Sequence, residues 1–324
     1  MISIGIVGYG NLGRGLEKSL AHNPDFTLKA IFTRRDPQMV RPLTNVPVVR
    51  LEEAPQYQGQ IDVMILCGGS ATDLPVQGPD LAKYFNTVDS FDNHNHIPAY
   101  FEKIDQAAAS SGHLSLISVG WDPGLFSLVR ALFGSVLPNG RDFTFWGKGV
   151  SQGHSDAIRR IPGVLDARQY TMPIEAALKA ARSGENVTLT TREKHWRDCY
   201  VVAAPDADQE SIRQTIVNMP DYFDAYDTHV TFVSPEVLSE QHAGLPHGGF
   251  VIRSGETSDG IRQTAEFSLR LDSNPEFTAS ILAACARAVY RMRQRGRTGA
   301  ISIFDIAIGD LSPSSPEAMR HQLL

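Results

Sequence analysis

Short apolar runs alternate with amphipathic segments over the first third of the chain, a pattern that predicts parallel strands covered by helices. Ile2–Val7 reads as a first strand, residues 12–22 as a helix and residues 28–33 as a second strand. Residues 61–67 have the mostly apolar character of a buried strand; residues 87–90 form another short one, and residues 114–119 close the series before Gly120. Beyond Gly120 the pattern changes. Residues 229–233 and 264–271 alternate with period 2, between aromatic and glycine-rich loops at 143–153 and 244–250. A second domain of α+β type with a mainly antiparallel sheet is expected there. A long helix is predicted over 276–295, with Asn274 as N-cap, Pro275 at the first helical position and Gly296 past the end. The apolar stretch 300–308 reads as a strand returning to the first domain. The expected division is residues 1–120 with roughly 298–324, against 121–297.

At 324 residues there is room for two cores, and 42% hydrophobic with 20% charged residues is the balance of an ordinary globular chain. The formal charge of −6, with no long Lys/Arg run, disfavours nucleic acid and an anionic membrane as partners. Cys67, Cys199 and Cys285 are odd in number and far apart, which suits a reducing compartment and gives neither a disulfide framework nor a zinc pair. No basic segment precedes an apolar one at Met1-Ile2-Ser3-Ile4, and even residues 280–292 carry Arg287 and Arg291. A cytoplasmic location without a membrane span is expected.

The candidate chemistry begins at the first strand. Gly8-Tyr9-Gly10-Asn11-Leu12-Gly13 fits G-x-G-x-x-G between a strand and a helix, the context of a Rossmann dinucleotide-binding domain. Gly8 permits the turn, Gly10 lets the backbone approach a pyrophosphate, and Gly13 lets the helix pack on the strand. The helix N-terminus supplies free N–H groups. The second strand ends Thr33-Arg34-Arg35, with no carboxylate until Asp36. Two guanidinium groups and a hydroxyl suit the 2′-phosphate of NADP, whereas NAD calls for an acid there. Cys67-Gly68-Gly69-Ser70 is a small-residue loop after a strand, where a cofactor can lie close, and Cys67 reads as a small buried residue.

Two further strand ends carry acids. Asp89-Ser90-Phe91-Asp92-Asn93-His94 and Gly120-Trp121-Asp122-Pro123-Gly124 would each project an aspartate toward a nicotinamide, Asp92 and Asp122. Loop aspartates also cap turns and helices. His94 and His96 lack a matching ligand set elsewhere, so no metal site is expected. Trp146 through Asp156 is a glycine-rich approach to a helix expected near Ser155, with Gln152 and Gly153 offering N–H groups to a carboxylate and His154 in a local structural role. Pro246-His247-Gly248-Gly249 reads as a flexible turn exposing His247. Thr171 and Arg197 read, from composition alone, as surface residues.

Together, and in this order, these segments resemble the meso-diaminopimelate D-dehydrogenase family. The matching stretches are residues 7–14, 32–35, 70–73, 88–94, 120–124, 145–164, 169–171, 219–223, 246–249 and 274–280, nearly the whole length of the chain. Ser151-Gln152-Gly153-His154-Ser155-Asp156-Ala157 and Thr87-Val88-Asp89-Ser90-Phe91-Asp92-Asn93-His94 are the most specific. The departures are small: Thr33 stands where serine is usual, Gly69 and Lys148 lie at variable loop positions, and Phe250 follows the double glycine.

The resemblance implies an N-terminal Rossmann domain with an α+β substrate-binding and dimerisation domain, working as a homodimer. It implies NADP-dependent oxidative deamination of the D-centre of meso-2,6-diaminopimelate, reversible as reductive amination. Its cofactor contacts fall on Tyr9, Gly10, Asn11 and Leu12; on Thr33, Arg34 and Arg35; on Cys67, Gly68, Gly69 and Ser70; on Ser90, Phe91 and Asp92; and on Gly120, Trp121, Asp122, Pro123 and Gly124. Its substrate contacts fall on Asp92, Asp122, Trp146, Gln152, Gly153, Thr171, Arg197, His247 and Asn274. Asp92 and Asp122 are expected to bind the reacting ammonium and help carry its proton away. The rivals are a relaxed D-amino-acid dehydrogenase of the same family, a dihydrodipicolinate reductase, whose His-rich loop and Lys-containing glycine motif are missing here, and a non-catalytic NADP-binding sensor.

Overall fold

The computed structural model describes residues 1–184 and 187–324. The chain divides into two compact units, residues 1–128 with 275–324, and residues 129–274.

The first unit is built on a seven-stranded parallel sheet. Its strands are β1 (Ile2–Val7), β2 (Phe26–Thr33), β3 (Val48–Arg50), β4 (Val63–Leu66), β5 (Asn86–Asp89) and β6 (Leu114–Leu116), with Gly299–Ile301 added beside β6. The order across the sheet is Gly299–Ile301, β6, β5, β4, β1, β2, β3, which puts the turn after β1 at mid-sheet. Alternate residues of β1 and β4 point to opposite faces. Ile4, Ile6, Val63 and Ile65 pack under the helices Asn11–Ala21 and Asn274–Gln294. Met64 and Leu66 pack under Leu74–Ala82 and Ile97–Ser111.

The long helix starts at Asn274, so that residue opens the helix and Pro275 follows within its first turn. A stripe of small residues (Ala279, Ala283, Ala286) lets it lie close to the sheet. Gly15 adds to this close approach: a Cβ there would stand 3.1 Å from the Pro275 carbonyl oxygen and the Glu276 Cα, tighter than an ordinary contact. Arg287, 2% exposed, anchors it to Asp25 through bonds of 2.5 and 2.9 Å. Residues from Pro275 onward therefore belong to the core of the first unit, whereas the sequence pattern grouped 121–297 together.

β4, expected over 61–67, covers only Val63–Leu66, and two other strands stop well before their apolar patterns do. β6 ends at Leu116 because the chain turns at Ser118, whose φ of 58° cannot continue a strand. The last strand ends at Ile301 because Ser302 and Asp305 form a capping box over a short 3₁₀ turn, Ile303–Asp305.

The second unit holds two small sheets. β7 (Gly140–Trp146) belongs to the three-stranded sheet; β8 (Gly149–Val150), β9 (Val164–Pro173), β10 (His195–Ala203) and β11 (Asp227–Phe232) form the four-stranded one. β12 (His247–Ser258) and β13 (Ile261–Leu271) complete the first of these, in the order β13, β12, β7. All pairings are antiparallel except β10 with β11. Ala167, Cys199, Val201 and Val230 face the helices Gln152–Arg159 and Gln209–Val217, giving this unit its own core.

Candidate active site

In the first unit the glycine turn leaves β1 with Gly8 at φ 88°, its N–H bonded to the Phe32 carbonyl at 2.9 Å. A Cβ on Gly13 would sit 2.2 Å from the Gly8 carbonyl oxygen, so only glycine lets the helix begin this close to the turn. At Gly10 a Cβ would meet nothing within 4 Å: the backbone here faces open space. Asn11 and Leu12 start the helix, presenting first-turn amides beside that space. A cavity of about 450 Å³ is lined by Gly8, Tyr9, Gly10, Thr33, Arg34, Arg35, Cys67, Gly68 and Asp73. Arg35 donates to the Tyr9 carbonyl at 2.7 Å, and the Thr33 hydroxyl accepts the Arg35 N–H at 3.1 Å. Arg34 pairs with Asp73 at 2.6 Å but is 60% exposed, so the pair holds it weakly and leaves it available to an anion. Burial pushes the Cys67 thiol up to about 12, which makes it an inert wall. The bare glycines, the helix start and two guanidinium groups fit a phosphorylated dinucleotide.

The next loops along the sheet carry the two aspartates. The Asp92 N–H bonds to the Ser70 hydroxyl at 3.0 Å, fastening the loop after β5 to the loop after β4. Asp92 itself is exposed. Ser90 and Phe91 lead into it; Phe91 is buried and stacks on Tyr100 with centroids 4.2 Å apart. After β6, Gly120 and Gly124 close a tight loop around Trp121, Asp122 and Pro123, with the Gly120 N–H on the Pro123 carbonyl at 2.7 Å. Gly124 has φ 122°, and a Cβ on it would strike the Gly120 carbonyl oxygen at 2.2 Å. Trp121 is buried and packs edge-on against Phe126 at 5.2 Å. His94 and His96 are exposed, and among the described residues no group of three His, Cys, Asp or Glu is gathered to hold a metal.

In the second unit the sheet register brings separate segments together. Thr171 pairs with both Arg197 and Gly149 across neighbouring strands, and Trp146 pairs with Gly249. Arg197 is 5% exposed, hydrogen-bonds the Thr171 hydroxyl, and lies 3.8 Å over the Tyr226 ring. Burial pulls its pKa below the usual guanidinium range. Both Thr171 and Arg197 are thus interior residues, contrary to their sequence reading as surface positions. His247 is likewise buried, as the first residue of β12 and no part of a flexible turn. A Cβ on Gly149 would meet its ring at 2.4 Å, so the glycine makes room for it. Desolvation, with Arg197 nearby, brings the His247 pKa down to about 4. The helix expected at Ser155 begins earlier, at Gln152, capped by the Ser151 hydroxyl, so Gln152 and Gly153 sit in its first turn with Gly153 exposed. His154 bonds Ser151 at 2.8 Å and packs edge-on against Tyr222 and Phe223. The Asn274 N–H bonds to the Leu245 carbonyl at 2.9 Å, next to the Pro246-His247 corner.

A family model described as the C-terminal domain of diaminopimelic acid dehydrogenase matches residues 120–273. The meso-diaminopimelate D-dehydrogenase of Ureibacillus thermosphaericus is 59% identical over 323 residues, covering 100% of this chain and 99% of the relative. This chain belongs to the meso-diaminopimelate D-dehydrogenase family. It is a nicotinamide-dependent dehydrogenase of CH–NH2 groups. Among solved structures it is similar to the Corynebacterium glutamicum DAP dehydrogenase in complex with DAP, at 45% identity, TM-score 0.95 and coverage of 100% and 99%. It also resembles an engineered D-amino acid dehydrogenase bound to NADP+, at 43% identity and TM-score 0.91, covering 100% and 99%.

Two further buried residues, His195 and Glu17, hold parts of this family's motifs in place. His195 is 1% exposed, and its Nε2 accepts the Trp146 N–H at 2.8 Å while its ring stacks on the indole at 5.4 Å. Burial, reinforced by Arg197 and Lys194, lowers its pKa to about 3, so it stays a neutral acceptor. Its place two residues before Arg197 on one strand was the available signal, but without the register it names no partner. Glu17, buried in the first helix, takes the Tyr9 hydroxyl and the Leu43 and Thr44 N–H groups. Nothing in the sequence distinguishes it from a solvated helix glutamate.

Proposed function

We propose that this chain oxidatively deaminates the D-centre of meso-2,6-diaminopimelate with NADP, yielding L-2-amino-6-oxopimelate and ammonia, and that it runs in reverse as a reductive amination. The observation that carries the substrate is Arg197. It is a buried guanidinium bonded to a hydroxyl and laid on an aromatic ring, and among the described residues no acidic side chain pairs with it. A buried charge of this kind calls for an anion. A simple D-amino acid brings only the carboxylate of its reacting centre, whereas diaminopimelate brings a second one. Thr33, Arg34 and Arg35 at the end of β2 support NADP over NAD through the 2′-phosphate.

Asp92 and Asp122 receive the reacting ammonium, and a proton passes from nitrogen toward a carboxylate. With the lone pair free, the carbon–nitrogen bond becomes an iminium as hydride departs from the same carbon. Bound nicotinamide supplies the hydride acceptor. Water adds to the iminium carbon, and ammonia leaves. Trp146 and the first-turn amides at Gln152 and Gly153 hold the carboxylate of the reacting centre, while Arg197, Thr171 and His247, with Asn274, hold the distal L-centre. We take the working form to be a cytoplasmic homodimer, in keeping with the family resemblance; among the described residues no helix is long and apolar enough to cross a membrane.

The test is Arg197→Met. It should cut kcat/KM for meso-diaminopimelate by roughly 10²-fold while changing that for D-alanine far less. An unchanged ratio between the two substrates removes the distal-carboxylate assignment.

A further inference from the structure

Asp89 ends β5 and is completely buried. Its Oδ1 accepts the Phe91 N–H at 3.0 Å and the Ser118 N–H at 3.0 Å, and its Oδ2 accepts the Tyr100 hydroxyl at 2.8 Å. Its backbone carbonyl takes the Val119 N–H at 2.9 Å. One residue therefore fastens two loops: the segment after β5, which leads to Asp92, and the segment after β6, which leads to Asp122.

Three features show that this is a brace and not a filler of the core. Hydrocarbon side chains such as Val88, Leu116 and Ile117 are buried close by in sequence, and a carboxylate costs solvation that an apolar side chain would not. A carboxylate can accept from all three donors at once, each bond strengthened by its charge. Ser118 is held at φ 58°, a left-handed conformation that a residue with a Cβ keeps only when its surroundings fix it. In that conformation its N–H meets Asp89, and the chain leaves β6 toward Gly120 and Asp122. On the other side the Phe91 ring stacks on Tyr100, so the same tyrosine grips both the carboxylate and the loop it braces.

We propose that Asp89, with Tyr100 behind it, is a positioning residue for the deamination: it fixes the two loops from which Asp92 and Asp122 act. This rests on the reading that those two aspartates receive the reacting ammonium. Asp89 touches neither substrate nor cofactor in this scheme. Its effect is on where the acids stand.

The experiment compares wild type, D89A, D89N and Y100F by amide hydrogen exchange, NADPH binding and turnover of meso-diaminopimelate. In D89A, exchange should accelerate at residues 118–124 and at Phe91 but not in β1 or β4. Its kcat should fall roughly tenfold or more with NADPH affinity little changed, because a small misplacement of reacting groups is costly. D89N keeps a carbonyl for the two N–H groups and should recover most of the lost turnover. If D89A does not fold, Y100F decides the matter through the same exchange signature and a smaller fall in kcat. Loops that exchange as in wild type overturn the proposal. So does a loosened loop with unchanged kcat, or a kcat loss that merely tracks lost NADPH binding. D92N is the control for the underlying reading: should it leave turnover intact, that reading fails, while the exchange data still report on the brace.

Discussion

In the first unit most of the candidate cofactor cradle is backbone: the bare glycines at positions 8, 10 and 13, the start of a helix, and loops leaving parallel strands. In the second unit the candidate groups are mostly side chains drawn from β7, β9, β10 and β12, of which Thr171, Arg197 and His247 are buried, together with the first-turn amides at Gln152 and Gly153. The first arrangement serves a ligand whose phosphates look alike from protein to protein. Under the proposed reading the second recognises one small molecule, and residues behind it hold its groups in place, as His195 holds the Trp146 N–H. A defect in the backbone cradle should therefore weaken cofactor binding generally, whereas a defect in the side-chain set should change which substrate is used.

The largest effect expected is on chemistry. Asp92→Asn, or Asp122→Asn, should lower kcat by about 10²-fold or more with NADP affinity preserved, as steady-state rates and a binding titration would show. Equal losses in both quantities would place these aspartates in the cofactor cradle alone. Next comes cofactor choice. Arg35→Ala should weaken NADP binding by roughly 10- to 100-fold while leaving the weak affinity for NAD nearly unchanged, the loss of one charge-assisted contact to phosphate. Titration of both cofactors checks this.

That contrast also explains what could be read from the sequence. The parallel sheet, the glycine turn and the Thr33-Arg34-Arg35 end of β2 lie in contiguous segments, so each motif carries its own context. Arg197 and Thr171 lie 26 positions apart and meet only through strand pairing, and neither segment announces the pairing locally. His247 reads as exposed in the sequence because Gly248 and Gly249 signal a turn. Here those glycines are bare because the Leu269 and Phe145 carbonyl oxygens would lie 2.1 and 2.2 Å from their Cβ atoms, inside a sheet. The brace at Asp89 was hidden for a similar reason: its partners at Tyr100 and Ser118 come from a helix and another strand end.

The smallest effect expected is on stability against pH. His154 and His195 are held near 3 and His247 near 4 by burial, while all three titrate near 6.5 when unfolded. Below pH 6.5 the unfolded chain binds protons that the folded one refuses. The stability is therefore fully present above that pH and is lost as pH falls toward 4. Asp89, raised to about 6 by burial, works in the opposite sense over the same window. The cost of its charge is present above pH 6 and relieved as pH falls toward the usual carboxylate value. Three depressed histidines outweigh one raised acid, so net acid destabilisation is expected. His195→Gln should reduce the slope of unfolding free energy between pH 4 and 6 by about 1.4 kcal/mol per pH unit, measured by denaturant titration. An unchanged slope would mean that His195 is protonated in the folded protein.

The central claim is tested most directly by NADP reduction with the three stereoisomers of diaminopimelate. Turnover should be fastest with the meso form and absent with the LL form, which has no D-centre to oxidise. NADP should be favoured over NAD throughout. Oxidation of the LL isomer at a rate comparable to the meso form, or no activity with any of the three, would contradict it.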